Sequence, residues 1–188
     1  MMYRNTNLLI ATTLIVSAIV IGQEKEVITP EQRVVLENPE VIGLQLAPIL
    51  RRRSAGVYKE ASGPFNSESK IKFELIAINN SSIPLDVRSW DSLAQNRPRL
   101  LRDNQEVAYR NGLMELLKNK DKEDGDIVHL FVIRLQPNER KVIDSVEISD
   151  WYEPVQVGHY ELSMQHRFVQ GGKFVNSASV VFEVEEKK

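Results

Sequence analysis

Apolar and polar side chains alternate along most of the chain after residue 70, and that alternation predicts strands. In 71–78, Ile71, Phe73, Leu75 and Ala77 fall on one face, with Lys72 and Glu74 on the other; a period of two is that of a half-buried strand. Asn79-Asn80-Ser81-Ser82 predicts a turn, and Ile83 to Val87 is extended again. Leu100-Leu101-Arg102 and Glu106-Val107-Ala108-Tyr109 flank Asp103-Asn104, a dipeptide suited to a tight primed hairpin turn. Between 127 and 135 both faces are apolar (Ile127, His129, Phe131, Ile133, Leu135 against Val128, Leu130, Val132), which predicts a central strand. Gln136-Pro137-Asn138-Glu139 turns the chain into a strand over 141–148, with Val142, Val146 and Ile148 toward the core. A strand opens at Gly158, with Tyr160, Leu162 and Met164 in phase. Gly171-Gly172 turns it, and 174–184 returns with Val180, Phe182 and Val184 on one face.

Two segments depart from this period. Leu113, Met114, Leu116 and Leu117 have helical spacing, followed by the charged run 118–126, so one or two helical turns and a solvated loop are expected. At the other end of the chain, Leu8 to Ile21 is an apolar run preceded by Arg4, and Gly22 offers a small residue before a cut at Gln23. That is the layout of a signal peptide over 1–22, because a stable membrane span needs roughly 20 apolar residues. Residues 23–40, with Pro30 and Pro39, read as a flexible leader, with room for a short helix after Thr29-Pro30-Glu31. A first strand is expected within 41–50, and a short one near Val57-Tyr58. The domain itself is assigned to 41–188. About seven to nine short strands, turn signals between them and one short helical segment predict an all-β, antiparallel β-sandwich. Its core is expected to hold Phe73, Leu75, Leu130, Phe131, Val132, Ile133, Val146, Tyr160, Leu162, Val180 and Phe182.

Three stretches carry a resemblance. Leu135-Gln136-Pro137-Asn138-Glu139, Ile148-Ser149-Asp150-Trp151-Tyr152 and Val157-Gly158-His159-Tyr160-Glu161-Leu162 resemble the C-terminal half of the immunoglobulin-like and fibronectin-III-like sandwiches of exported bacterial proteins. In these a proline turn precedes a strand, a corner follows, and Gly-x-Tyr begins the next strand. The resemblance covers roughly 127–185 and is one of fold class. It implies an immunoglobulin-like sandwich in which Tyr160 is a tyrosine-corner residue, its hydroxyl bonded back to backbone near Asp150–Glu153. Such sandwiches host many functions, so the fold alone implies none.

Composition narrows the chemistry. The chain of 188 residues has a formal net charge of −2 and no cysteine. Neither sign dominates, which argues against nucleic acid as a partner. Without cysteine there is no disulfide, thiol nucleophile, zinc–cysteine site or lipoprotein anchor. His159 and His166, seven residues apart on one strand, face opposite sides about 23 Å apart and cannot share a metal. His129 lies among apolar residues. The acidic run 121–126 lacks the ligand spacing of a calcium loop, and no nucleophile elbow or phosphate-binding glycine loop occurs. Asn79 and Asn80 begin formal glycosylation sequons within the turn. No cofactor, metal or catalytic residue is assigned; a hydrolase using Glu74, Asp86 or Asp91 is the remotest class.

The candidate binding surface is aromatic and basic: Trp90, Trp151, Tyr152 and Tyr109, which would suit a sugar or peptide face if clustered and exposed, and the triplet Arg51, Arg52 and Arg53. The expected function is a non-catalytic exported binding module, periplasmic or secreted. Its partner would be a protein or polysaccharide of the cell envelope, engaged through end loops or an exposed edge strand. The alternative is an inhibitor-like or enzyme-accessory domain inserting the 111–126 loop into a partner's cleft.

Overall fold

A computed structural model describes residues 30–49, 52–54, 57–59, 65–66, 70–122 and 131–186. The elements follow in order: α1 (Pro30–Leu36), β1 (Ile42–Pro48), β2 (Arg52–Ser54), β3 (Val57–Lys59), β4 (Phe65–Asn66), β5 (Lys72–Asn79), β6 (Leu85–Ser89), α2 (Ser92–Gln95), β7 (Asn96–Arg102), β8 (Gln105–Glu106), α3 (Leu113–Lys120), β9 (Phe131–Leu135), β10 (Arg140–Glu147), α4 (Ile148–Trp151), β11 (Gly158–Arg167), β12 (Phe174–Asn176) and β13 (Val180–Glu185). The fold is all-β and sandwich-like, with four short helices among the described residues. The strands outnumber the expected seven to nine because several are fragments of two or three residues.

One sheet has the order β1-β5-β10 and is antiparallel throughout. The other has the order β4-β13-β11-β7-β8, with β12 also on β11. β12 and β13 lie in succession along the same strand, β11: Gln165 to Arg167 pair with β12, Gly158 to Leu162 with β13. Between them the Ser177 N–H donates to the Met164 carbonyl. β4 pairs with β13 in parallel. β6 pairs with β9, and β2 with β3, as separate two-stranded ladders.

The alternation of the sequence is the reason the two large sheets meet. Ile71, Phe73, Leu75 and Ala77 are all buried, as are Ile42, Leu44 and Leu46 on β1. From the opposite sheet Tyr160, Leu162, Met164, Phe182 and Val184 are buried in turn. The Phe73 and Phe182 rings meet across the interface with centroids 5.3 Å apart, Phe65 sits 5.6 Å from Phe182, and Tyr160 stacks on Phe182 at 13°. Offset and tilted aromatic pairs of this kind add to the area they remove from water. The hairpin turn takes the expected form: Asp103 (φ 48°) and Asn104 (φ 65°) supply the two positive φ angles of a primed turn.

Several expectations are corrected. Phe131 and Val132 are 47% and 50% exposed rather than core, and Ile133 and Val180 are only partly buried. β9 is therefore not a central strand; it leaves its neighbour in sequence, β10, to pair with β6. Leu130 and the preceding 127–129, including His129, fall outside the described residues, as does most of the acidic run. On β10 the register shifts between Val142 and Asp144, so Ile143 is an extra residue. This bulge turns Ile143 inward and leaves Val142 exposed. The leader is not wholly flexible. Pro30 begins α1, as its fixed φ allows, Leu36 is buried in the core, and the Arg33 guanidinium donates to the Gln170 carbonyl at 2.6 Å. Asn79, a formal sequon residue, is fully buried; its amide donates to the carbonyls of Ile83 and Leu135, so it is closed to modification.

Candidate functional site

Three of the four aromatic residues singled out in the sequence, Tyr109, Trp151 and Tyr152, are brought together, but inside. Tyr109 lies 6.0 Å from Trp151 and 5.2 Å from Tyr152, ring to ring, and Tyr109 and Tyr152 form a β-bridge. Trp151 is 3% and Tyr152 2% exposed. Both tyrosine hydroxyls donate to the Pro98 carbonyl, at 2.6 and 2.7 Å. On this side of β7 the partner strand β8 covers only Leu101 and Arg102. The Val107 N–H takes the Leu100 carbonyl, and the tyrosines take that of Pro98. The cluster thus seals a sheet edge and offers no exposed platform for a sugar. Burial raises the pKa of both phenols, with the charge of Arg97 opposing it at Tyr109 and Tyr109 reinforcing it at Tyr152.

Trp90 is 7% exposed, and its backbone N–H donates to Gln95 Oε1 at 2.8 Å. Gln95 returns its amide to the carbonyls of Arg88 and Arg167, tying α2 to both β6 and the end of β11. Of the arginine triplet, Arg52 and Arg53 stand on β2 opposite Lys59 and Tyr58; their side chains, and Arg51, fall outside the described residues. Asp91 caps α2 by accepting from the Leu93 and Ala94 N–H groups and pairs with Lys120 at 3.1 Å. Asp86 lies 3.7 Å from Arg134. Glu74, Asp86 and Asp91 come from β5, β6 and the α2 cap, each with its own setting.

Two polar groupings were not foreseen. The first is buried. His166 Nδ1 lies 2.7 Å from Asn96 Oδ1, and the Asn96 amide donates to Asp144 Oδ2 at 2.5 Å and to Ser92 Oγ at 2.9 Å. Because an amide oxygen only accepts, the Nδ1 atom carries the proton. Nε2 is then a buried atom without a partner. Desolvation lowers the imidazole pKa from its ordinary value to about 3. The chain of contacts joins β11, β7 and α2 to β10, across the two sheets, and the bulge at Ile143 precedes the carboxylate it needs. The sequence did carry a signal: His166 continues the inward phase of Tyr160, Leu162 and Met164. His159, one residue before that phase, is exposed beside Glu183.

The second grouping is on the outer face. Arg97 and Arg167 both reach Asp121 Oδ1, at 2.8 and 3.3 Å, and both guanidiniums lie over the Phe174 ring, at 5.4 and 4.3 Å from its centroid. Asp121 is the residue that ends α3. Leu113 and Leu117 of that helix are buried. The described part of the 111–126 segment is therefore fastened down by apolar contact, by Lys120 and by Asp121, rather than projecting as an insertion loop.

No protein-family model matches the chain, and no curated protein matches it. One exposed strand is β9, whose Arg134 carbonyl accepts from the Lys141 ammonium at 2.7 Å. Its burial runs exposed, exposed, intermediate, exposed, buried from Phe131 to Leu135, and among the described residues it is laddered to β6 alone. No described helix is long and apolar enough to cross a membrane.

Proposed function

We propose that this protein is a non-catalytic interaction module exported to the cell envelope, and that it binds by adding an extended segment of a protein partner alongside β9. The observation that carries the reading is the exposure of Phe131 and Val132, successive residues that point to opposite faces of the same short strand. An edge strand that shows apolar side chains on both faces is suited to main-chain pairing, with pockets for alternate side chains of the incoming strand. Export is supported by the signal-like pattern of 1–22. The immunoglobulin-like reading is supported by strand order: β1-β5-β10 corresponds to the A-B-E strands and β13-β11-β7 to G-F-C. It is supported also by the tyrosine corner, where the Tyr160 hydroxyl donates to the Gln156 carbonyl at 2.8 Å. A sugar-binding role for Trp90, Trp151 and Tyr152 is not supported, because all three are buried.

The test places a photo-crosslinking residue at position 132, with a control at 181. Val181 is 74% exposed but lies on β13, which pairs with β11 from Val180 to Val184 and with β4 at Val184 and Glu185. Expected is a single protein adduct from 132, absent from 181 and lost in Phe131→Glu. Equal labelling from both positions, or none from 132, overturns the edge-strand reading. Cell fractionation tests export separately: an unprocessed chain confined to the cytosol overturns it.

A further inference from the structure

We propose that Arg97 and Arg167 form a seat for a phosphate-class oxyanion, one that the Asp121 carboxylate fills in this structure. The pairing register explains why two like charges are neighbours. Arg97 lies opposite Gln165 on β11, and Arg167, two residues further, lies opposite Phe174 on β12. Side chains two apart on a strand share a face, so both guanidiniums come down on the Phe174 ring. A planar cation over an aromatic face is a common way to hold arginine in place while its fork remains directed elsewhere.

The seat is short of acceptors. The Arg97 and Arg167 side chains are 12% and 15% exposed, and they share one carboxylate that is 41% exposed. Among the described residues, two largely desolvated cations therefore meet a single anionic group, and both contact the same oxygen of it. Arg97 spends its remaining capacity on the backbone carbonyls of Leu93 and Asn96. Among the described residues the Arg167 guanidinium makes one side-chain hydrogen bond, at 3.3 Å to Asp121, and its Nε is buried with no hydrogen-bond partner. A guanidinium has five N–H donors, and a buried donor left unmade is costly. A tetrahedral oxyanion presents more acceptor oxygens than a carboxylate and accepts from guanidinium forks in the same charge-assisted way.

The present occupant is also poorly placed. Asp121 stands at the C-terminal end of α3, where the helix dipole is negative and disfavours a carboxylate. Its removal from the arginines leaves α3 held by Leu113, Leu117 and the Lys120–Asp91 pair. The fold thus supplies a competitor that is easily displaced. The site is separate from β9 and does not rest on the edge-strand reading.

The experiment titrates the protein with inorganic phosphate, against sodium chloride of matched ionic strength, and follows melting temperature. The Asp121→Asn variant is expected to bind phosphate about tenfold more tightly than the native chain, because the internal competitor is gone. Arg167→Lys, added to Asp121→Asn, is expected to return the titration to the chloride curve. Identical phosphate and chloride curves in Asp121→Asn, or undiminished binding after Arg167→Lys, overturn the proposal. In the native chain the Arg167 Nε–H resonance reports without any substitution: a phosphate-specific shift supports the seat, and the same shift with chloride refutes it. A glycerol phosphate arm identifies the source, since a seat for esterified phosphate accepts both probes and one for the free anion rejects the ester.

Discussion

The hydroxyls of Tyr109 and Tyr152 converge on one acceptor, the Pro98 carbonyl, at 2.6 and 2.7 Å. The acceptor has two lone pairs, so removing one donor leaves it satisfied, whereas removing both leaves a buried carbonyl without a partner. Tyr109→Phe and Tyr152→Phe are each expected to cost about 0.5 to 1 kcal/mol, and the double variant about 1 to 3 kcal/mol more than their sum. Urea denaturation of the four proteins measures the coupling; strict additivity would show that the two hydroxyls act independently.

Tyr160 closes a corner in a different way. Its hydroxyl donates to the Gln156 carbonyl at 2.8 Å and accepts from the Gln156 N–H at 3.1 Å. The acceptor is thus four residues upstream, nearer than the Asp150–Glu153 expected from the resemblance. Tyr160→Phe keeps the stack on Phe182 and loses only these bonds, so a loss of about 0.5 to 1.5 kcal/mol is expected from the denaturation midpoint. Unchanged stability would remove the corner bond from the account.

His166 sets the acid response. Its folded-state pKa, lowered to about 3 by desolvation, lies below the ordinary value of 6.5. Between those values the unfolded chain takes up a proton that the folded chain refuses. The contribution of the neutral imidazole is complete above the unfolded value and is lost as pH falls toward 3. Stability is expected to drop steadily from pH 6.5 to pH 4, and the slope to shrink in His166→Gln. Equal slopes in the two proteins would place the acid sensitivity elsewhere.

The bulge on β10 makes neighbouring residues unequal. Ile143 is buried and Val142 largely exposed. Ile143→Ala is expected to cost about 2 to 4 kcal/mol through the cavity it leaves, and Val142→Thr less than about 0.5 kcal/mol. A reversed order, read from thermal unfolding, would mean that the strand is in regular register.

The strands with one apolar face were legible because a period of two admits a single reading: β5 and β11 bury the residues that alternation selects. β9 was misread because a stretch apolar on both faces describes a central strand and an exposed edge equally well. The bulge at Ile143 leaves no mark in composition, and a one-residue shift exchanges inside for outside. α2 and α4, of four residues each, are too short to show a helical period. The aromatic cluster was foreseen as a group but not as buried, since tyrosine and tryptophan serve interiors and interfaces alike. Arg97 and Arg167, seventy residues apart, become neighbours only through the pairing of β7 with β11.

The docking of α1 fixes the direction in which the chain enters the sandwich. Arg33 holds it beside Gln170, just past the end of β11, while β13 finishes where Val184 pairs with Gly158, at the start of β11. The ten residues of β11 separate these points by about 30 Å. The contact of α1 with Gln170 therefore lies at one pole of the sandwich, and the Asp103-Asn104 turn and the Tyr160 corner stand at the other, so the two ends of the domain are built from different parts of the chain.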